Sequence, residues 1–164
     1  MANTDQAYGF RFAYTTHGGP PRITKHLTTG TAIYQGDAVQ ISSGRVLPVT
    51  DGVAPMGIAQ NYCAATADLD VYVMDLSNTV FTVQADGSDL SASTIVGGFY
   101  DIMVATGNTT TLKSLQELDS SDSTADNLEV IGLVETPDNA WGEFAKVYVR
   151  FHVDTNAALT ANAA

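Results

Sequence analysis

The chain has 164 residues, 15% of them charged, a formal net charge of −11 and a single cysteine. That length suits one domain, which on folding withdraws about 70% of its unfolded surface from water and needs neither metal nor disulfide to hold a core. The charge argues against nucleic acid as a partner, because a phosphate backbone is held by several Lys or Arg acting together, and the lone Cys63 rules out a disulfide-stapled scaffold.

The opening Met1-Ala2-Asn3-Thr4-Asp5-Gln6 has neither the positive region nor the apolar run of a signal peptide. No stretch of about twenty apolar residues follows, so the expectation is a cytoplasmic product without a membrane partner. Tyr8, Phe10, Phe12 and Tyr14 then alternate with Gly9, Arg11 and Ala13, which puts four aromatics on one side of an extended strand. His17-Gly18-Gly19-Pro20-Pro21 interrupts pairing. Residues 1–28 accordingly read as an extended N-terminal arm; the alternative is that the aromatics form the first core strand of the body. Charge follows the same division. The first 45 residues hold Arg11, Arg22, Lys25 and Arg45 against Asp5 and Asp37, whereas the remainder holds sixteen acids and three basic residues, so the leading segment and the body are expected to face different surroundings.

From residue 29 short β-prone runs alternate with turns: 31–34, 38–42, 45–49 and 56–60, broken at Gly36-Asp37, Ser43-Gly44 and Asp51-Gly52. Residues 69–74 and 79–85 flank the turn Leu76-Ser77-Asn78 and read as a hairpin. One helical turn is expected near 88–93, stopped by Gly97-Gly98. Strands are expected again at 99–104 and 109–115, then an acidic solvated loop at 117–127. A strand at 128–135 reads as buried on both faces, and a final strand alternates Ala145, Val147, Val149, Phe151 and Val153 against Lys146, Tyr148, Arg150 and His152. The tail 155–164 has little to bury and is expected to be loose. The fold class is thus all-β: a compact antiparallel β-barrel or β-sandwich over 29–154, with barrel preferred.

Chemistry is sparse. His17, His26 and His152 belong to no recognisable catalytic motif, and no nucleophile elbow, H-E-x-x-H or paired C-x-x-C occurs. Asp119, Asp122 and Asp126 could gather round calcium, but their loop lacks the glycine and terminal glutamate of an EF-hand. Gly18-Gly19 and Gly97-Gly98 lack the spacing of a phosphate-binding loop. No enzyme activity, metal or cofactor is expected. The densest local pattern is Thr136-Pro137-Asp138-Asn139-Ala140-Trp141-Gly142-Glu143-Phe144, holding the only tryptophan. It reads as a rigid corner of the body, or alternatively as an interface anchored by Trp141.

Several short stretches, in order along nearly the whole chain, resemble the small capsid decoration (cement) proteins of tailed, podovirus-like bacteriophages. They are the opening through Ala7-Tyr8-Gly9-Phe10-Arg11, Gly36-Asp37-Ala38-Val39, Met56-Gly57-Ile58-Ala59, Asp70-Val71-Tyr72-Val73-Met74-Asp75 with Val80-Phe81-Thr82-Val83-Gln84-Ala85-Asp86, and Ile131-Gly132-Leu133-Val134 with Pro137-Asp138-Asn139-Ala140-Trp141-Gly142. The resemblance implies a structural protein on the outer surface of a virion, clamping neighbouring major capsid protein subunits, often as a homotrimer. On that reading Tyr8, Phe10, Phe12 and Tyr14 supply apolar contact with the shell, Arg11, Arg22 and Lys25 pair with acidic coat groups, and Trp141 is a further candidate contact. The competing expectations are a tail or fibre module and a carbohydrate-binding sandwich using Trp141, Tyr72 and Tyr148 as stacking platforms.

Overall fold

The computed structural model describes residues 3–122 and 127–152. It is almost entirely β and has two parts, a closed five-stranded barrel and a six-stranded sheet laid against it. The sheet contains β1 (Arg11–Thr15), β7 (Thr79–Gln84), β8 (Phe99–Met103), β9 (Glu117–Asp119), β10 (Leu128–Leu133) and β11 (Lys146–Phe151), in the order β1-β7-β11-β10-β8-β9. The barrel contains β2 (Ile23–Thr29), β3 (Ala38–Ser42), β4 (Arg45–Pro48), β5 (Gly57–Ala59) and β6 (Ala67–Asp75), in the order β2-β4-β3-β5-β6. Its pairings are antiparallel except where β2 meets β4 in parallel at Thr28 and Val46.

The all-β expectation holds. A barrel and an open sheet coexist, because the chain has enough short alternating segments to bury two separate apolar sets. Ile33, Val39, Val46, Val71 and Val73 fill the barrel interior with Cys63. The second core is built from the sheet's inner face, including Phe81, Val83, Val130, Val147 and Val149. Ala38, Ile58 and Met74 of the barrel strands also belong to it, so one side of the barrel is the floor on which the sheet packs.

Several local expectations are corrected. The expected arm over 1–28 is not detached in its described part, residues 3–28: β1 pairs with β7, and β2 pairs with β6 from Ile23↔Met74 to Thr29↔Ala67 and closes the barrel. The aromatic alternation breaks at Gly9, whose φ is +71° and whose added Cβ would stand 2.6 Å from the Gly36 carbonyl oxygen. That left-handed turn sends Phe10 into the core and leaves Tyr8 on a different course. β6 and β7 do not make a hairpin; the turn between them carries the chain from barrel to sheet, with Asn78 at φ +56°.

Residues 109–115 turn instead of running as a strand, because the Asn108 side chain accepts the Thr110 and Thr111 amides at 2.8 and 2.9 Å. The acidic loop begins as β9, since Leu118 is fully buried and paired to Ile102. β10 buries one face only, with Leu128 and Val130 inside and Ile131 exposed across a bulge. The helical turn α1 (Ala92–Ile95) starts at Ser91 and is followed by Gly97 at φ +78°, close to expectation. The tail 155–164, and Val153 with it, lies outside the described residues.

Candidate docking surfaces

The structure separates the eight residues singled out in the sequence. Phe10 is 2% exposed and meets Phe151 with ring centroids 5.0 Å apart, and Phe151 in turn meets Phe81 at 5.6 Å. It is a core residue and is closed to any partner. Tyr8 lies under the Arg11 guanidinium, 4.3 Å from ring centroid to charge, and burial pushes its hydroxyl above the usual tyrosine range. Trp141 is half-buried against the sheet core. Its corner is pinned by Asn139, which donates to the Val134 and Lys146 carbonyls at 2.7 and 2.8 Å and accepts the Lys146 amide at 2.9 Å. Asn3 clamps the same corner through the Ala140 and Glu143 carbonyls, each at 2.8 Å.

The exposed members are Phe12 and Tyr14, 43% and 44% accessible, together with Arg11, Arg22 and Lys25. Tyr14 meets the edge of Tyr148 at 6.0 Å on the outer face of the sheet. Lys25 stands 3.5 Å from Asp70, a pairing exposed enough to contribute little.

Sequence reasoning missed what surrounds Lys25. On β2 the side chains of Ile23, Lys25 and Leu27 share one face, and their partners across the pairing are Met74, Tyr72 and Asp70. Ile23, Leu27 and Tyr72 are each more than 40% exposed, so the barrel's outer wall carries an apolar stripe flanked by charge. The alternation Ile23-x-Lys25-x-Leu27 was visible, but its meaning depended on knowing that β2 is a barrel stave.

A second surface is concave. Two neighbouring hollows of about 320 and 850 Å³ share Tyr8, Arg11 and Lys113 as lining. The smaller runs along β1 past Gln35-Gly36 and Ala59-Gln60 of the barrel; the larger reaches Thr82, Lys146, Asp5 and Glu117 on the sheet. The fully buried Gln84 organises the acidic end: its amide donates to Glu117 Oε1 at 3.2 Å and Asp5 Oδ1 at 3.3 Å, and its oxygen accepts the Gln6 amide at 3.0 Å. Burial, with the charges of Asp5 and Asp86 adding to it, pushes the Glu117 carboxyl up to about 7.

The remaining reactive groups are placed without a nucleophile–base pair among the described residues. Burial raises the Cys63 thiol, which donates to the Asp70 carbonyl at 3.3 Å and so stays protonated near neutrality. His26 shares a hydrogen bond with Thr24 at 2.9 Å, and His152 meets Phe99 edge to face with ring centroids 5.2 Å apart. Of the acidic-loop trio, Asp119 bonds locally to Ser121, Asp122 gathers with Asp51 and Asp101, and Asp126 lies outside the described residues. Asp101 is turned to the Asn127 side chain and the Ile102 amide, both at 2.7 Å. Among the described residues no helix is long and apolar enough to cross a membrane. No family model matches the chain, and no curated protein and no solved structure matches it either.

Proposed function

We propose that this protein is a non-catalytic structural part of a tailed-phage virion, a decoration protein that sits on the outside of an icosahedral capsid and bridges neighbouring major capsid protein subunits, assembled as a trimer. The observation that carries the reading is the outward face of the N-terminal strands. Phe12 and Tyr14 on β1, and Ile23 and Leu27 on β2, are all more than 40% exposed, although the strands themselves are locked into the sheet and the barrel. A rigid framework offering apolar side chains next to Arg22 and Lys25 loses little conformational entropy on docking, which favours a modest contact repeated across a shell of identical subunits. The segmental resemblance to cement proteins supplies the identity of the shell.

Co-sedimentation with undecorated, expanded capsids of the encoding phage tests the reading. Saturable binding at a fixed ratio to coat protein is expected, and Leu27→Asp or Tyr14→Asp should abolish it while circular dichroism stays native. Absence of binding by the intact chain would overturn the assignment and favour a tail or fibre module. The carbohydrate alternative needs a shared platform, yet Trp141 packs on the core, Tyr72 lies on the barrel and Tyr148 on the sheet.

A further inference from the structure

We infer that the cleft between β1 and the barrel is a binding groove for an extended, acidic peptide segment. The groove shares Phe12 and Arg11 with the face assigned to the capsid, but the inference is argued from concavity and charge and does not rest on the capsid reading.

Charge is the first observation. The hollow between β1 and the barrel and the larger one that joins it on the sheet are lined together by Arg11, Lys113 and Lys146 with only Asp5 and Glu117 as acids, leaving sixteen acids against four Lys or Arg in the rest of the chain. A molecule of net charge −11 thus places three of its seven Lys and Arg around one pair of joined hollows, where low-dielectric walls strengthen their field. Arg11 is held in place by stacking on Tyr8, and Lys146 is shared with Asp138 at 3.5 Å. Lys113 sits where the two hollows meet and is exposed.

Backbone is the second observation. β1 is the edge of its sheet, and an edge strand presents main-chain donors and acceptors to an added chain. The Gly36 carbonyl already accepts the Phe10 amide at 2.9 Å, so the start of the edge is covered and the groove opens beyond it, beside exposed Phe12. An extended segment lying there places a carboxylate every second residue towards Arg11 and Lys113. The acidic exterior disfavours a long polyanion such as nucleic acid, whose neighbouring phosphates would meet like charge on either side.

Glu117 makes the groove pH-sensitive. The charged groups that face it are Asp5 and Asp86 on the acidic side and Arg11, Lys113 and Lys146 on the basic side, with Gln84 bonded to it directly. Protonation of Glu117 on passing below pH 7 removes a negative charge from the groove, while glutamates of an exposed peptide remain ionised.

The test is fluorescence anisotropy of a fluorescein-labelled hexaglutamate peptide with the full chain at low salt, at pH 6 and pH 8. Saturable binding, tighter at pH 6, is expected. Lys113→Gln should weaken it about tenfold and Arg45→Gln, an equal loss of charge outside the groove, should not. Glu117→Gln should bring the pH 8 affinity up to the pH 6 value. Three results overturn the inference: no saturable binding at pH 6, equal losses in the Lys113→Gln and Arg45→Gln proteins, or full competition by inorganic phosphate at matched ionic strength. Tighter binding of a thymidine oligonucleotide of equal charge would overturn the choice of a peptide.

Discussion

Asp37 shows how a single residue can set the pH response of the whole fold. It is 2% exposed; its Oδ2 accepts the Tyr34 amide at 2.8 Å and the Ser114 side chain also bonds the carboxyl, but these contacts do not offset the loss of water around it. A carboxylate so placed lacks solvation for its charge, and burial pushes Asp37 up to about 6. The sign follows directly. A carboxyl raised in the folded state binds more protons folded than unfolded, so its contribution is fullest below the unfolded value near 4 and is lost as pH rises through about 6. Glu117 acts in the same direction up to about 7. Thermal melts should therefore show the protein more stable at pH 5 than at pH 7.5, with Asp37 accounting for on the order of 1 kcal/mol. A melting temperature that falls on mild acidification would contradict this account. Gly57 supplies a steric counterpart: a Cβ there would stand 2.3 Å from Val73 Cγ1 and 2.6 Å from the Met74 carbonyl oxygen. Gly57→Ala is expected to cost roughly 1–3 kcal/mol in urea unfolding, as overpacking at a strand crossing does.

At the scale of elements, the N-terminal strands act as structure first and surface second. Deleting residues 1–25 would remove β1, Phe10 from the core and three of the seven residues of β2. The barrel would open and the sheet would lose its edge. Such a truncated protein should lack a cooperative unfolding transition, and a native melt from it would mean that β1 and β2 are dispensable. The corner carrying Trp141 is a second element whose hydrogen bonds dominate its side-chain surface. Asn139→Ala leaves the Lys146 amide and two carbonyls without their partner and should destabilise the fold by about 2 kcal/mol, read from the denaturation midpoint.

At the scale of the whole molecule, twelve large apolar side chains among the described residues are more than a third exposed, and five of them lie on β1, β2 and β6. On the proposed reading, the apolar side chains of these three strands are the surface that neighbouring subunits cover. Sedimentation velocity at micromolar concentration should show a trimer, and Ile23→Asp with Leu27→Asp should shift it towards monomer if the β2 stripe serves self-association as well as the shell. A monomer at all concentrations in the unaltered protein would confine the stripe to the docked state.

The sequence by itself determined that the chain is a strand-and-turn protein. Strict alternation in 145–151, the short runs between glycine turns and the single capped turn at Ser91 are local signals, and β-pairing obeys them wherever a buried face is available. Only the tertiary structure decided which strands meet. Val71 and Phe81 read alike in sequence, yet one fills the barrel and the other packs in the sheet core, because the turn at Asn78 redirects the chain. Likewise the four leading aromatics were legible as a group, but the left-handed bend at Gly9, where an added Cβ would strike Gly36, sets Tyr8 apart from the rest, and of the others Phe10 lies in the core while Phe12 and Tyr14 on β1 are exposed. The groove was illegible for the same reason: Arg11, Lys113 and Lys146 are far apart along the chain, and only the long-range packing of β1, β11 and the 109–115 turn brings them together.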